Sequence, residues 1–162
     1  MSAAGSSSPR LVPALAVDAA ELAVLHARCF DDPWQAELIA RVLGTPGGFG
    51  LLARPNGEPI GFILCRSAAG EGEILTFCVD PALRGCGLGR QLLAAAIAEA
   101  GKRQLVALFL EVAEDNEIAR GLYDNHGFVQ VGLRPAYYRL PSGQPVDALT
   151  LRLVLQPRIE RD

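Results

Sequence analysis

The stretch that decides the fold is Val79–Ala100, which reads "VDPALRGCGLGRQLLAAAIAEA". Three glycines alternate with other residues between Arg84 and Arg90, and apolar residues then recur at helical spacing. Glycine permits positive φ and a close approach of the backbone to a ligand. A helix start presents unpaired N–H groups and a partial positive charge. The stretch therefore predicts a helix that begins near Gly87, with an anion site suited to phosphate at its N-terminus.

Two known phosphate-binding motifs match these glycines only in part. A Walker A loop would need a Lys-Ser or Lys-Thr pair, and none follows. A dinucleotide fingerprint matches Gly85 and Gly87 and finds an acidic residue, Glu111, at the end of the next predicted strand. However, Arg90 occupies its third glycine position. A glycine-rich turn without a ligand is the remaining alternative, although one glycine would suffice for a turn.

The patterns on both sides of this stretch predict an α/β fold. Apolar runs and turn signals give the order β-α-α-β-β-β-α-β-α-β-β. Antiparallel hairpins at both ends and a central β-α-β unit predict a single domain with a mixed sheet of about seven strands and about four helices. We expect the domain to span residues 10–156, between a flexible N-terminal tail at 1–9 and a C-terminal tail at 157–162.

Short local signals set the predicted boundaries. Residues 10–17 read as the first strand, and Asn56-Gly57 between two apolar runs is a strong hairpin signal. The predicted helix ends are a capping box of Asp18 with Glu21, an N-cap at Asp32 before Pro33, a C-cap at Gly101, and a stop at Gly127.

Composition narrows the class of protein. The chain has 162 residues, half of them hydrophobic, with a net charge of -3. This balance argues against a nucleic-acid partner, and no apolar run approaches the ~18 residues of a membrane span. The spacing of the cysteines and histidines does not suit zinc, so we expect no metal. We expect the thiols to be reduced, as in a cytoplasmic protein. We also expect a monomer or weak dimer. The cysteines are Cys29, Cys65, Cys78 and Cys86.

Two motifs resemble one family. Arg84–Gly89, "RGCGLG", resembles the R/Q-x-x-G-x-G/A acetyl-CoA signature of the GNAT superfamily of N-acetyltransferases. Asn116–Phe128, "NEIARGLYDNHGF", resembles its N-x-x-A-x-x-x-Y-x-x-x-G-F signature. "FLEVAEDN" and "AYYRLPSGQPVDALTLRL" resemble the RimI-type members, which acetylate the N-terminal alanine of a small-subunit ribosomal protein, although Ala113 stands where these often have arginine. The resemblance covers residues 18–155 approximately.

The resemblance implies an acetyl-CoA site. Backbone amides of Gly85–Arg90 would hold the pyrophosphate, and the end of the preceding strand would pair with the pantetheine arm as an added strand does. A backbone N–H there could polarise the thioester carbonyl. The residues implied to bind acetyl-CoA are Phe77, Cys78, Val79, Arg84, Gly85, Cys86, Gly87, Leu88, Gly89, Arg90, Asn116 and Tyr123.

The resemblance also implies roles in catalysis. Glu111 would be the general base toward an α-ammonium, and Tyr123 would protonate the leaving CoA thiolate. The alternatives are a solvated strand-end charge for Glu111, a core tyrosine for Tyr123 and a helix N-cap for Asn116. An acetyl-cysteine on Cys78 or Cys86 would need an activating histidine, and none lies near either in sequence.

Candidates for acceptor binding combine acidic and aromatic side chains. They are Asp31, Asp32, Trp34, Tyr137 and Tyr138. The acidic residues could attract a cationic N-terminus and the aromatics could line a peptide groove, although capping explains Asp32 and packing explains Trp34. We therefore predict an acetyl-CoA-dependent N-terminal alanine N-acetyltransferase. The alternatives are a GNAT enzyme acting on a small amine or a lysine side chain, and an acetyl-CoA-binding regulatory module without turnover.

Overall fold

The structure, a computed structural model, describes residues 8–155 and has the predicted order of helices and strands. The helices are α1 Ala19–Cys29, α2 Ala36–Gly44, α3 Leu88–Lys102 and α4 Glu117–Asn125. The strands are β1 Leu11–Pro13, β2 Gly48–Ala53, β3 Gly61–Ala68, β4 Glu71–Val79, β5 Ala107–Ala113, β6 Val129–Arg139 and β7 Pro145–Val154. Apart from Ser8 and Pro9, the predicted tails lie outside the described residues, as does position 156.

The seven strands form one mixed sheet in the order β1-β2-β3-β4-β5-β7-β6. β1 and β2 are antiparallel, β4 and β5 are parallel, and β7 pairs antiparallel with both β5 and β6. The parallel pair is joined through α3, which is the predicted β-α-β unit. The fold class predicted from the sequence is therefore confirmed.

Two compact units can be distinguished along the chain. Of the described residues, the first contains 8–64 together with Thr76–Ala96. Its core joins α1 and α2 to β2 and β3, with fully buried side chains that include Leu22, Ile39 and Phe62. Burial of this apolar surface is what stabilises two helices that are only 11 and 9 residues long.

The second unit contains Cys65–Leu75 and the residues from Ile97 onward. Here β5 lies between β4 and β7, and its residues Leu108 and Leu110 are almost completely buried. The nearly continuous apolar run of β5 is thus explained by its central place in the sheet. β4 pairs with Ala107–Phe109, whereas β7 pairs with β5 from Ala107 to Ala113, so the residues near the carboxyl end of β5 are held by β7.

Several predicted boundaries are confirmed. The chain turns at Asn56-Gly57 with φ +92° at the glycine, and Arg54 donates a hydrogen bond to the Gly57 carbonyl. α4 ends at Asn125, and Gly127 follows with φ +90°. The first strand is shorter than predicted, since β1 covers Leu11–Pro13 only.

The predicted N-cap at Asp32 is wrong, because α2 begins at Ala36 with Gln35 as its cap residue. The Trp34 N–H is donated to His26 Nδ1 at 3.1 Å, so this backbone is held in a loop.

The predicted ends of α1 and α3 also need correction. Asp18 lies at the N-cap position of α1, but its carboxylate accepts from the Leu15 N–H and forms an ion pair with Arg54, which also pairs with Glu21. No capping box of Asp18 with Glu21 forms. α3 continues through Gly101 to Lys102, and the left-handed residue at its exit is Gln104, with φ +60°.

Candidate active site

The glycine loop of the first unit has the predicted conformation. Asp80 follows β4 and accepts a hydrogen bond from the Ala82 N–H at 3.0 Å, which caps a short 3-10 turn. The chain then passes through Gly85 and Gly87, with φ +83° and +84°, and α3 begins at Leu88. A Cβ built on either glycine would meet no atom within 4 Å. The glycines are required by backbone conformation, and the space over them is open to a ligand.

The electrostatics of this loop favour an anion. α3 has 15 residues, so its first N–H groups and its dipole present partial positive charge at Leu88. Arg84 and Arg90 are exposed, and neither forms an ion pair with any residue in the range 8–155. Two unpaired guanidinium groups at a helix N-terminus suit a phosphate or pyrophosphate group.

The end of β4 precedes this loop. Phe77 and Val79 are half-buried and Cys78 is buried. The Cys29 thiol donates to the Val79 carbonyl at 3.4 Å, which anchors the strand end to α1. Burial, followed by the neighbouring Cys29 thiol, raises the pKa of Cys78 far above its usual range. Cys78 therefore stays a thiol at neutral pH, which weighs against an acetyl-cysteine on it. Cys86 is exposed in the loop.

A buried histidine orders the loop that carries the acidic and aromatic candidates of the first unit. His26 is 2% exposed, stacks on Phe30 and Trp34, and pairs through Nε2 with Thr76 Oγ1 at 2.9 Å. Since Nδ1 accepts from the Trp34 N–H, the proton of the neutral ring is on Nε2. Burial lowers the pKa of His26. Trp34 is thus packed on the core, as the packing alternative expects, while Asp32 is exposed.

In the second unit, Glu111 forms an ion pair. It lies on β5 opposite Thr150 of β7, and its Oε1 is 3.0 Å from Nε of Arg134 on β6. The Glu111 side chain is 23% exposed and that of Arg134 is 59% exposed. A pair with one exposed partner is held weakly, so Glu111 remains available to another cation.

Tyr137 and Tyr138 continue this cluster. The Arg134 guanidinium lies 5.4 Å from the centre of the Tyr137 ring, and the two tyrosine rings meet edge to face at 5.0 Å. Burial, and then the charge of Glu111, raises the pKa of Tyr138. The structure therefore brings together the candidate base and two of the candidate acceptor-binding residues.

α4 carries the remaining candidates. Asn116 is its N-cap, with Oδ1 accepting from the Ala119 N–H at 3.2 Å, so the capping alternative applies to it. Tyr123 is buried against Phe128, and burial, followed by Tyr138, raises its pKa to about 12. At neutral pH the phenol is protonated. His126 follows the helix as its C-cap and interacts with the Leu122 carbonyl at 2.8 Å.

Residues 19–128 match the sequence profile of the family described as Acetyltransferase (GNAT) family. The chain belongs to this family. The matched range contains both signatures, from the glycine loop to Gly127 and Phe128, and it ends before β6 and β7. Acetyltransferases with the GNAT fold use acetyl-CoA as the acyl donor.

Similar proteins include N-terminal acetyltransferases. The [ribosomal protein bS18]-alanine N-acetyltransferase of Haemophilus ducreyi is 36% identical over 91 residues, which cover 56% of this chain and 63% of that protein. The N-alpha-acetyltransferase RimI of Mycobacterium tuberculosis is 43% identical over 84 residues, or 51% of this chain and 48% of that protein. The chain spans less than two thirds of the length of the curated relatives that it matches first.

A solved structure extends the likeness over nearly the whole chain. The crystal structure of the ribosomal-protein-S18-alanine N-acetyltransferase from Escherichia coli superposes with a TM-score of 0.87 at 26% sequence identity. The match covers 94% of this chain and 97% of that one. It includes the carboxyl-terminal strands that the family profile leaves out.

Metal clusters and membrane-spanning helices are both absent from the described part of the chain. In the range 8–155, no group of three or more His, Cys, Asp or Glu side chains is placed to hold a metal ion. No helix of the same range is both long enough and apolar enough to cross a membrane.

Three residues that organise these surfaces were not among the predicted site residues. They are His26, Arg134 and Asp147. His26 contacts Thr76 across 50 residues of sequence, and Arg134 contacts Glu111 across 23. No local pattern marks such pairs, although the basic residue close to "AYY" could have suggested a partner for a nearby carboxylate.

Proposed function

We propose that the protein is an acetyl-CoA-dependent N-acetyltransferase acting on the N-terminal α-amine of a protein, with alanine of a small-subunit ribosomal protein as acceptor. The observation that carries the proposal is the open loop at the start of α3, where Gly85 and Gly87 have positive φ and two arginines have no acidic partner among residues 8–155. The resemblance to bS18-alanine N-acetyltransferases supports the choice of acceptor.

Acetyl-CoA is a substrate in this proposal, and it binds to the glycine loop and to the end of β4. N–H groups of Gly85–Arg90 bind the pyrophosphate, with Arg84 and Arg90 adding charge. Phe77–Val79 offers backbone groups to the amides of the pantetheine arm. The Val79 carbonyl already accepts from the Cys29 thiol, so its orientation is fixed before the substrate arrives.

Glu111 and Tyr123 are the proton-transfer groups of this proposal. The amine nitrogen attacks the thioester carbonyl carbon, the new C–N bond forms, and the C–S bond breaks. Glu111 accepts the proton that the amine loses, directly or through water. Tyr123 gives its proton to the CoA sulfur. Solvent returns a proton to the phenol and takes the one held by Glu111, so both side chains return to their starting state.

The surroundings of these two groups support their roles. The pair of Glu111 with Arg134 is weak because one partner is exposed, so the carboxylate can turn to an approaching amine. Tyr123 has a pKa raised to about 12, well above the ~8.5 of a thiol. The phenol therefore carries its proton at neutral pH and can donate a hydrogen bond to the sulfur, while full transfer to a thiolate of lower pKa is uphill.

The acceptor class can be tested with one set of substrates. Acetyl transfer is measured to a lysine-containing hexapeptide with an N-terminal alanine, to the same peptide blocked at its N-terminus, and to a set of small amines. We expect transfer to the free peptide only. A lysine or small-amine acceptor would instead give transfer to the blocked lysine-containing peptide or to the amines. Binding of acetyl-CoA without transfer to any of them would favour a regulatory module.

A further inference from the structure

Asp147, which is not among the site residues predicted from the sequence, holds an irregular segment of β6. Arg134 pairs with Ala148 and Tyr138 pairs with Val146. Between these two pairs, residues 135–137 of β6 face the single residue Asp147 of β7. β6 therefore bulges away from β7 over Pro135, Ala136 and Tyr137, between Arg134 and Tyr138.

The backbone of this bulge is strained. Ala136 has φ +52°, in the left-handed region, where the Cβ of an alanine comes too close to the backbone. Such a residue persists only where its surroundings determine its conformation. The Ala136 N–H is donated to Asp147 Oδ1 at 2.8 Å. The preceding residue, Pro135, has no N–H to offer.

Asp147 is itself anchored to the strand of Glu111. The Glu114 N–H, just beyond β5, donates to the Asp147 carbonyl at 2.9 Å. The backbone of Asp147 thus binds the end of β5, and its side chain binds the bulge of β6. One residue sets the position of the tyrosines relative to the strand of the candidate base.

We propose that Asp147 is a positioning residue for the acceptor: by fixing the left-handed conformation of Ala136, it orients Tyr137 and Tyr138 beside Glu111. The inference rests on the proposed function. It assigns a specificity role to a carboxylate that touches neither substrate. Two observations agree with the proposal. The Tyr137 ring contacts the Arg134 guanidinium, and the charge of Glu111 adds to burial in raising the pKa of Tyr138.

Four variants test the assignment. Asp147→Ala removes the acceptor of the Ala136 N–H, whereas Asp147→Asn keeps an oxygen that can accept it. The double variant Asp147→Ala with Ala136→Gly removes the hydrogen bond but also the Cβ penalty of positive φ. Asp124→Ala is the matched control, since this exposed aspartate lies on α4 and its side chain forms no ion pair within residues 8–155.

The kinetic readout compares the change in KM for the alanine peptide with the change in KM for acetyl-CoA. Asp147→Ala should raise KM for the alanine peptide roughly tenfold, the equivalent of one hydrogen bond, while KM for acetyl-CoA stays within about twofold. Asp147→Asn and Asp124→Ala should resemble wild type, and the double variant should recover part of the loss. The proposal is overturned if Asp147→Ala leaves the peptide KM unchanged, if both KM values rise together, or if Ala136→Gly gives no recovery.

A substrate-free readout separates this proposal from the proposed function. The chain has three tyrosines, so their ionisation can be followed by ultraviolet absorbance from about pH 9 to 12.5. Release of the bulge in Asp147→Ala should bring the raised pKa of Tyr138 down toward its usual value, while Asp147→Asn keeps the wild-type titration. If wild type acetylates no peptide, the proposed function fails and this titration still decides the role of Asp147; identical curves for all variants would refute it.

Discussion

Replacement of Gly87 by alanine separates a backbone role from a ligand role in the glycine loop. Gly87 has φ +84°, and an added Cβ would meet no protein atom within 4 Å. Gly57 is a matched control, since it has φ +92° and equally open surroundings in the hairpin turn. Alanine at either site destabilises the folded protein by roughly 1–2 kcal/mol, because its φ is positive. Alanine also restricts the unfolded chain, which offsets roughly 0.4–1 kcal/mol of this cost.

The two variants should therefore lose similar stability. A net cost of about 1 kcal/mol lowers Tm by roughly 2–4 °C in a domain of this size, so both proteins stay folded. Their affinities for CoA should differ. At Gly87 the methyl group occupies the space that a pyrophosphate needs to reach the N–H groups ahead of α3. Loss of one charge-assisted hydrogen bond of about 1.5–3 kcal/mol weakens Kd by roughly 10- to 150-fold.

The assay is calorimetric titration of CoA into wild type, Gly87→Ala and Gly57→Ala, with Tm recorded for each. A Gly87→Ala protein that loses stability as Gly57→Ala does, yet binds CoA within about twofold of wild type, refutes the reasoning. The glycine would then serve the turn alone. Equal weakening in both variants would show that the change in affinity reflects general loosening of the chain.

Three further predictions concern single side chains. Tyr123→Phe keeps the buried ring but removes the proton, so kcat should fall by ~10²–10⁴ with little change in acetyl-CoA binding; a kcat within about twofold of wild type would leave Tyr123 only its packing against Phe128. Glu111→Gln should be slow at pH 7 and recover as the pH passes ~7.8, the pKa of an α-amine, in a pH–rate profile on the alanine peptide; activity still rising above about pH 9 would indicate a lysine acceptor instead. Burial lowers the pKa of His26, so as the pH falls the unfolded chain binds a proton at this residue before the folded protein does. The free energy of unfolding should therefore be unaffected by His26 above about pH 6.5. Below that pH it should fall by at most about 1.4 kcal/mol per pH unit. Urea unfolding of wild type and His26→Gln at pH 7 and 5 should show a smaller pH difference in the variant, and equal differences would contradict this.

The order of helices and strands could be predicted because hydrophobic period and turn chemistry are local. Gly57 and Gly127 have the positive φ that the sequence predicts, since few other residues fit there. The same logic failed at Gly101, where the helix continues and Gln104 takes the left-handed conformation. Ala136 could not have been found either, because alanine gives no sign that its φ is positive.

The capping predictions at the first two helices failed for a different reason, although α1 does begin after Asp18. Asp18 and Asp32 both carry the chemistry of an N-cap, and that chemistry is necessary but not sufficient. Arg54 and the Leu15 N–H engage Asp18, while His26 holds the Trp34 backbone out of α2. Each competing partner is distant in sequence or lies in a neighbouring turn that the pattern does not describe.

The sequence by itself determined which chemistry is present: the glycines and arginines of an anion-binding loop, a carboxylate after an apolar strand, and a tyrosine seven residues after an asparagine. These features depend on backbone propensity and short spacing, and so they can be read along the chain. Only the tertiary structure decided that Glu111 pairs with Arg134 and that Asp147 holds the bulge beside the tyrosines. Those contacts follow from strand register, and register is set when distant apolar residues are buried together.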